Sequence, residues 1–230
     1  MKFSCEKALL QAAIATTSWA VSAKSAIPTL EGLLLEASDH VKMTGYNLET
    51  GISTILPADV AEPGKIVLNA KILNDIIRFF PDDVVTIVVS ETLTALIMCG
   101  SAKYEIIGLS ADEYPSLPEI ESEETLRVPQ NMLKSMISQT IFAISTNDSK
   151  PVHTGSLFEV EGGMLTVVSV DGFRLALRTE ELKNISPREQ FSFIVPGHTL
   201  REIEKILDEV DDEVEIMLGK KHITFTIGQT

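Results

Sequence analysis

Basic residues are scarce in this chain: 19 Lys and Arg stand against 33 Asp and Glu, a formal net charge of -14 at pH 7. That balance argues against a nucleic-acid coat with a uniformly basic surface, but it leaves room for a few cations gathered on one face. Cysteine is rarer still. Cys5 and Cys99 are too few for a disulfide scaffold and have no metal-ligand spacing, which points to two isolated thiols in a reducing cytosol. No apolar run approaches the ~18 residues needed to span a bilayer. Catalytic signatures are missing too: there is no glycine-rich phosphate loop, no G-x-S-x-G and no H-E-x-x-H. The histidines His40, His153, His198 and His222 fall far apart, and the acid pairs Asp82–Asp83 and Asp211–Asp212 read as solvated turns. Together these absences argue against an enzyme and against a metal or cofactor site.

What is present is ordinary globular material. An apolar content of 44% in 230 residues supports a packed core, and the length suits one large domain or two of about 100–120 residues. The stretch from Ala8 to Ala26 after Lys2 resembles a signal peptide, but Glu6, Lys7, Gln11, Thr16, Thr17 and Ser18 dilute it.

An internal repeat removes that reading altogether. The helical stripe Leu9, Leu10, Ala13, Ile14 returns 123 residues later as Met132, Leu133, Met136, Ile137. The same shift carries Pro28 to Pro151, Gly32 to Gly155 and Glu36 to Glu159. Farther on, KIVLNAKILNDIIRFFPDD answers SFIVPGHTLREIEKILDEVDD at a shift of 127, placing Leu73, Ile76 and Phe80 on Leu200, Ile203 and Leu207. A cleaved leader would have no copy in mid-chain, so the sequons at Asn147 and Asn184 carry no weight and a cytoplasmic protein is expected.

Each half reads as a short strand, a helix, two or three strands, another strand, a second helix and then alternating strands. The connector Ser110–Glu124, with two prolines and six acids, divides them. The expectation is α+β: two domains, 1–124 and 125–230, each with two helices and about eight strands. The strand Lys103–Leu109 has no counterpart before Thr230, so the second copy reads as lacking its last strand and the chain as a piece of something longer. Trp19 is expected to pack at the end of the first helix, and Asp171-Gly172 to form a tight hairpin turn. Cations gather on the four helices (Lys7, Lys71, Arg78, Lys134, Arg201, Lys205) and on the loops after the first helices (Lys24, Lys150). The acids crowd the connector and turns. A weakly basic helical face of this kind suits a polyanion.

MKFSCEKALLQAA, IPTLEGLLLE, TGYNLETGI, EYPSLP and VDGFRLALR, in this order and spacing, resemble the bacterial DNA polymerase sliding-clamp family, the DNA polymerase III beta subunit. The resemblance runs from Met1 to Thr230 and covers the first two of the family's three domains; the third is absent. It implies a DNA-clamp fold with helices packed on antiparallel sheets. It implies a non-catalytic processivity factor: a homodimeric ring that encircles duplex DNA without sequence preference and tethers polymerase and clamp-loader subunits through short linear peptides. No cofactor or membrane is involved. A second reading is a truncated, clamp-like partner-binding module or clamp competitor that does not encircle DNA.

By the same resemblance, DNA contacts map onto Lys24, Lys71, Asn147, Pro151 and Val152, with Lys134, Lys150, His198 and Arg201 on the same helices and loops. In some relatives the positions of Pro151 and Val152 are aromatic, and a relative's inner-rim lysine falls on His198. The peptide pocket maps onto Val170, Gly172, Phe173, Arg174 and Leu175. Val170 stands where Thr is common and Phe173 where His is common, which makes the rim more apolar. The dimer face maps near Ile72, Ile76 and Phe80, expected as a partner-facing stripe.

Overall fold

A computed structural model describes residues 1–118, 121, 124–147, 149–183, 185–186 and 188–230. Asn184 and connector residues 119, 120, 122 and 123 lie outside the described residues. The chain forms two compact units, one of Met1–Pro118 with Gln229–Thr230 and one of Glu119–Gly228.

The first unit contains β1 (Lys2–Glu6), α1 (Lys7–Ser18), β2 (Gly32–Ala37), β3 (Val41–Tyr46), β4 (Gly51–Leu56), β5 (Asp59–Glu62), β6 (Gly64–Asn69), α2 (Ala70–Phe79), β7 (Val84–Val89), β8 (Thr94–Cys99) and β9 (Ala102–Ile107). The second contains β10 (Glu124–Pro129), α3 (Gln130–Ser138), β11 (Gly155–Glu161), β12 (Met164–Val170), β13 (Leu175–Glu181), β14 (Gln190–Pro196), α4 (Gly197–Ile206), β15 (Glu213–Leu218) and β16 (Ile223–Thr226). Every strand pairing is antiparallel. The four-stranded sheets have the same order in both units, β4-β3-β2-β6 and β13-β12-β11-β14. Each unit's other sheet begins alike: β1-β7-β8 extended by β5 and β9 in the first, β10-β15-β16 in the second.

The repeated glycines have a packing reason. A Cβ on Gly32 would lie 2.5 Å from Val67 Cγ1 and 2.9 Å from Leu68 O, and one on Gly155 would lie 2.5 Å from Val195 O. Each glycine lets its strand, β2 or β11, approach the end strand beside it, β6 or β14. Gly45 works similarly: a Cβ there would sit 2.1 Å from Thr17 O, so α1 can lie directly on β3. Around these contacts Phe3, Leu10, Leu33, Leu73 and Ile87 form the first core, and Phe158, Leu133, Leu200 and Ile216 the second.

The acid pairs are turn pieces. Lys7 N donates to Asp83 O at 3.1 Å and Gln130 N to Asp212 O at 2.9 Å, so the same bond starts α1 and α3. Asp82 pairs with Lys7 at 3.0 Å, and Asp211 accepts from Asn131 Nδ2 at 2.7 Å.

Several expectations shift. The first unit has a strand, β5, that alternation did not reveal, because Asp59–Glu62 is short and mostly exposed at a sheet edge. Leu9 lies outside the α1 stripe and is 39% exposed. Trp19 caps α1 with half of its surface in solvent. Cys5 and Cys99 are free and buried.

Candidate nucleic-acid and peptide-binding surfaces

The most developed loop in the second unit is the β12–β13 hairpin. Asp171 N donates to Arg174 O at 3.3 Å, closing four residues. Asp171 Oδ1 then accepts from Phe173 N at 2.9 Å and Arg174 N at 3.0 Å, and its Oδ2 accepts from Arg174 Nε at 2.8 Å. The two backbone amides, and then the Arg174 side chain, hold this carboxyl below the usual carboxylate range. Gly172 takes φ +94° at the tip, a conformation that favours glycine. So braced, the hairpin presents Phe173 with its whole surface in solvent and Leu175 64% exposed, while Val170 opposite is half-buried. Arg174 also lies over the exposed Phe142 ring, 5.8 Å from its centroid.

The loop after α3 stands beside it. Ser145 N donates to His153 O at 2.9 Å, joining the loop's two ends. Inside, Asn147 Oδ1 accepts from Ser149 N at 3.0 Å and His153 N donates to Lys150 O at 2.9 Å. Pro151 and Val152 open a short 3-10 turn, with Pro151 at its first position. An open cleft of about 340 Å³ lies between this loop and the hairpin, lined by Ile144, Asn147, Lys150, His153, Phe173 and Arg174 among others. Residues assigned separately to DNA and to peptide therefore share one concavity. Asn147 and Lys150 stand far from Phe173 and Arg174 in sequence, so no motif shows this.

The remaining DNA candidates are dispersed. Lys24 is exposed on the loop after α1, Lys71 on α2, and His198 and Arg201 on α4; Lys134 on α3 is half-buried. The helical face is less basic than its composition suggests. Lys7 is tied to Asp82, with 12% of its side chain accessible, and Lys205 pairs with Glu202 at 3.0 Å. The exposed positions of α1 are Ala8, Leu9, Ala12 and Ala15, none of them charged. Among the described residues, Lys71, Lys134 and Arg201 have no carboxylate partner.

The dimer stripe needs a correction. Phe80 is 4% exposed and packs against Tyr104 at 5.7 Å, so it belongs to the core. Its neighbour Phe79 is 74% exposed, with the Arg78 guanidinium 4.9 Å from its centroid. Ile72 is exposed and Ile76 half-buried against the core. Strand β9, at a sheet edge, adds Ile107 at 83% and Tyr104 at 47%, apolar edge residues that sequence reasoning missed. Alternation identified β9 as a strand but could not show that it lies at an edge.

Among the described residues, no group of three or more His, Cys, Asp or Glu is placed to hold a metal ion. Among them too, no helix is long and apolar enough to cross a membrane.

Comparison with known proteins accounts for both units. Residues 1–118 match the family described as DNA polymerase III beta subunit, N-terminal domain, and residues 127–230 that subunit's central domain. The chain is 34% identical over 234 residues to the beta sliding clamp of Bacillus subtilis (strain 168), covering 98% of this chain and 62% of that protein. It is 35% identical over 238 residues to the beta sliding clamp of Halalkalibacterium halodurans, covering 99% and 62%. Among solved structures, the DNA polymerase sliding clamp of Bacillus subtilis superposes with a TM-score of 0.94 at 34% identity, covering 100% of this chain and 62% of that one. A sliding clamp from Pseudomonas aeruginosa bound to griselimycin gives 0.94 at 30% identity with the same coverage. The chain thus spans about 62% of the length of the curated relatives it matches.

Proposed function

The chain belongs to the DNA polymerase III beta subunit family, the beta sliding clamps, and from that premise we propose that its two units are the N-terminal and central domains of a non-catalytic clamp. The protein they belong to encircles duplex DNA as a homodimeric ring in the cytoplasm and tethers polymerase and clamp-loader subunits. The observation that carries this reading is the match of both units, in order, to the two clamp domains across the whole chain.

In this reading, Lys24, Lys71, Lys134, Asn147, Lys150, Pro151, Val152, His198 and Arg201 touch the sugar–phosphate backbone. Among the described residues Lys71, Lys134 and Arg201 have no carboxylate partner, and so thin a set of cations supports weak contact that lets a ring slide. Pro151 and Val152 offer no aromatic face, so they contribute backbone position and not stacking. The hairpin of Val170, Gly172, Phe173, Arg174 and Leu175 takes linear peptides, and its support is the braced turn that holds Phe173 and Leu175 out of the core. A relative with this fold was solved bound to griselimycin, which fits a clamp that accepts ligands. Ile72, Ile76 and Phe79, with the β9 edge, face the partner protomer.

The test is topological. Native protein, captured from source cells with an antibody to residues 1–230, is loaded onto a nicked circular plasmid by its clamp loader. Retention through gel filtration and release on linearisation are expected. Equal retention on linear DNA would overturn the encircling function.

A further inference from the structure

After β9 the first unit carries a strap. Residues 108–117 cross its four-stranded sheet from the β6 edge to the β4 edge. Leu109 N donates to Val67 O at 2.9 Å and Val67 N to Leu109 O at 3.1 Å, which adds one residue to β6. Thr29 Oγ1 then donates to Glu113 O at 3.1 Å, and the buried Tyr114 hydroxyl to Thr44 O on β3 at 3.2 Å. Leu117 ends over Gly51 on β4. Val67 and Thr44, on the face that is crossed, are 1% and 3% exposed. The same register positions in the second unit hold Ile194, 40% exposed, and Val168, half-buried. The sheet by itself therefore does not close this face.

We propose that this face of the first unit is a docking surface that residues 108–117 occupy in cis, and that it takes in trans a linear peptide with an aromatic residue, then Pro, then Leu two places after the Pro. That is the chemistry of Tyr114, Pro115 and Leu117, the segment seen seated on it. The strap docks as a peptide does, by main-chain pairing at a sheet edge with side-chain anchors beyond it. Gly51 makes the seat: a Cβ there would lie 2.3 Å from Leu117 Cδ2 and 3.3 Å from Tyr46 Cδ2, so β4 gives up a side chain to admit that leucine. Tyr114 has φ -80° and ψ 123°, the extended form that a following proline imposes. A segment shaped in this way loses little freedom on docking. The cis copy excludes competitors through its high effective concentration, so binding in trans grows as the strap is weakened. The inference rests on the first unit alone, and it holds or fails independently of the clamp reading.

The experiment titrates the 230-residue chain with a labelled peptide of residues 108–118, read by fluorescence anisotropy. The unmodified chain is expected to bind it weakly. Tyr114→Phe removes one hydrogen bond from the strap and no packing, and should bind the peptide about fivefold tighter. Leu117→Ala empties the seat at Gly51 and should bind it about tenfold tighter. Gly51→Ala loosens the strap but fills the seat, so no such gain is expected. A peptide with Ala in place of its Leu should lose the advantage in every variant. Equal affinity in the unmodified chain, Tyr114→Phe and Leu117→Ala would overturn the proposal, and Tyr114→Phe alone decides it where circular dichroism shows Leu117→Ala to be unfolded. A gain in Gly51→Ala as large as in Leu117→Ala would overturn it too, because loosening without a seat would then be enough.

Discussion

At the C-terminal end of α2, two adjacent phenylalanines have opposite fates. Phe80 is packed into the first core against Tyr104, and Phe79 stands in solvent under Arg78. Phe80→Ala is expected to lower unfolding free energy by about 3–5 kcal/mol, through lost burial and the cavity left behind. Phe79→Ala should stay within about 0.5 kcal/mol. Urea unfolding of both variants reads the difference, and equal losses would contradict the assignment of Phe79 to a partner face. Single-residue titration offers a second check. Because the hairpin amides hold the Asp171 carboxyl low, the folded state favours its ionised form. That contribution is fully present above the ordinary carboxylate value and is lost as pH falls through the lower folded one. The amide resonances of Phe173 and Arg174 should therefore shift together, below about pH 3.9. An inflection at or above that value would mean that the carboxylate does not brace the turn. The thiols give a third. Burial pushes Cys5 up to about 12 and raises Cys99 as well. Neither should react with an alkylating reagent at pH 8 while the chain is folded, and both should react in denaturant.

At the scale of elements, the chain builds one hairpin twice with different chemistry. Asn47 Oδ1 accepts from Glu49 N at 3.0 Å and Thr50 N at 2.7 Å, and Asn47 N donates to Thr50 O at 3.2 Å. The Asp171 turn repeats this pattern bond for bond. Leu48, at φ +74°, stands where the second unit has Gly172, and Gly51 stands where it has Leu175. In the first unit the connector closes over this place. A Cβ on Gly51 would lie 2.3 Å from Leu117 Cδ2, and the buried Tyr114 hydroxyl donates to Thr44 O at 3.2 Å. In the second unit, the described residues set the hairpin beside a cleft. Tyr114→Phe should cost about 1 kcal/mol in chemical denaturation, the net worth of one buried hydrogen bond. No loss would mean that the phenol is not a fastener. The helix starts differ too: Asn69 Oδ1 accepts from Ile72 N at 3.1 Å to cap α2, whereas Pro196 at the start of α4 makes no side-chain cap. Asn69→Ala is expected to cost about 1 kcal/mol.

At the scale of the whole chain, charge sets the strength of the proposed contact with DNA. With Lys7 and Lys205 committed to carboxylates, few helical cations remain for phosphate. Duplex binding by the 230-residue chain should be weak. Its log–log salt slope should be shallow, no steeper than about -4 to -5, the limit set by the five Lys and Arg side chains proposed to touch the backbone. Fluorescence anisotropy across a salt series measures it, and a slope several times steeper would require a basic surface that these units do not present. The proposed ring, held on DNA by topology, would not need such a surface.

The sequence by itself determined the two-copy organisation, the four helices and nearly every strand. Burying one face of a helix or strand writes a period into the chain, and a repeated unit writes it twice. Gly32 and Gly155 were legible as equivalents for the same reason, although only the close approach of neighbouring strands explains why they are glycine. Three features needed the tertiary structure. Which of Phe79 and Phe80 points inward depends on where α2 ends against the sheet, and adjacent apolar residues carry no periodic signal. The loss of Lys7 from the basic face depends on Asp82, 75 residues away. The cleft exists because packing sets the loop after α3 beside the β12–β13 hairpin. Local sequence dictates each of those loops, but only the fold makes them the two walls of one site.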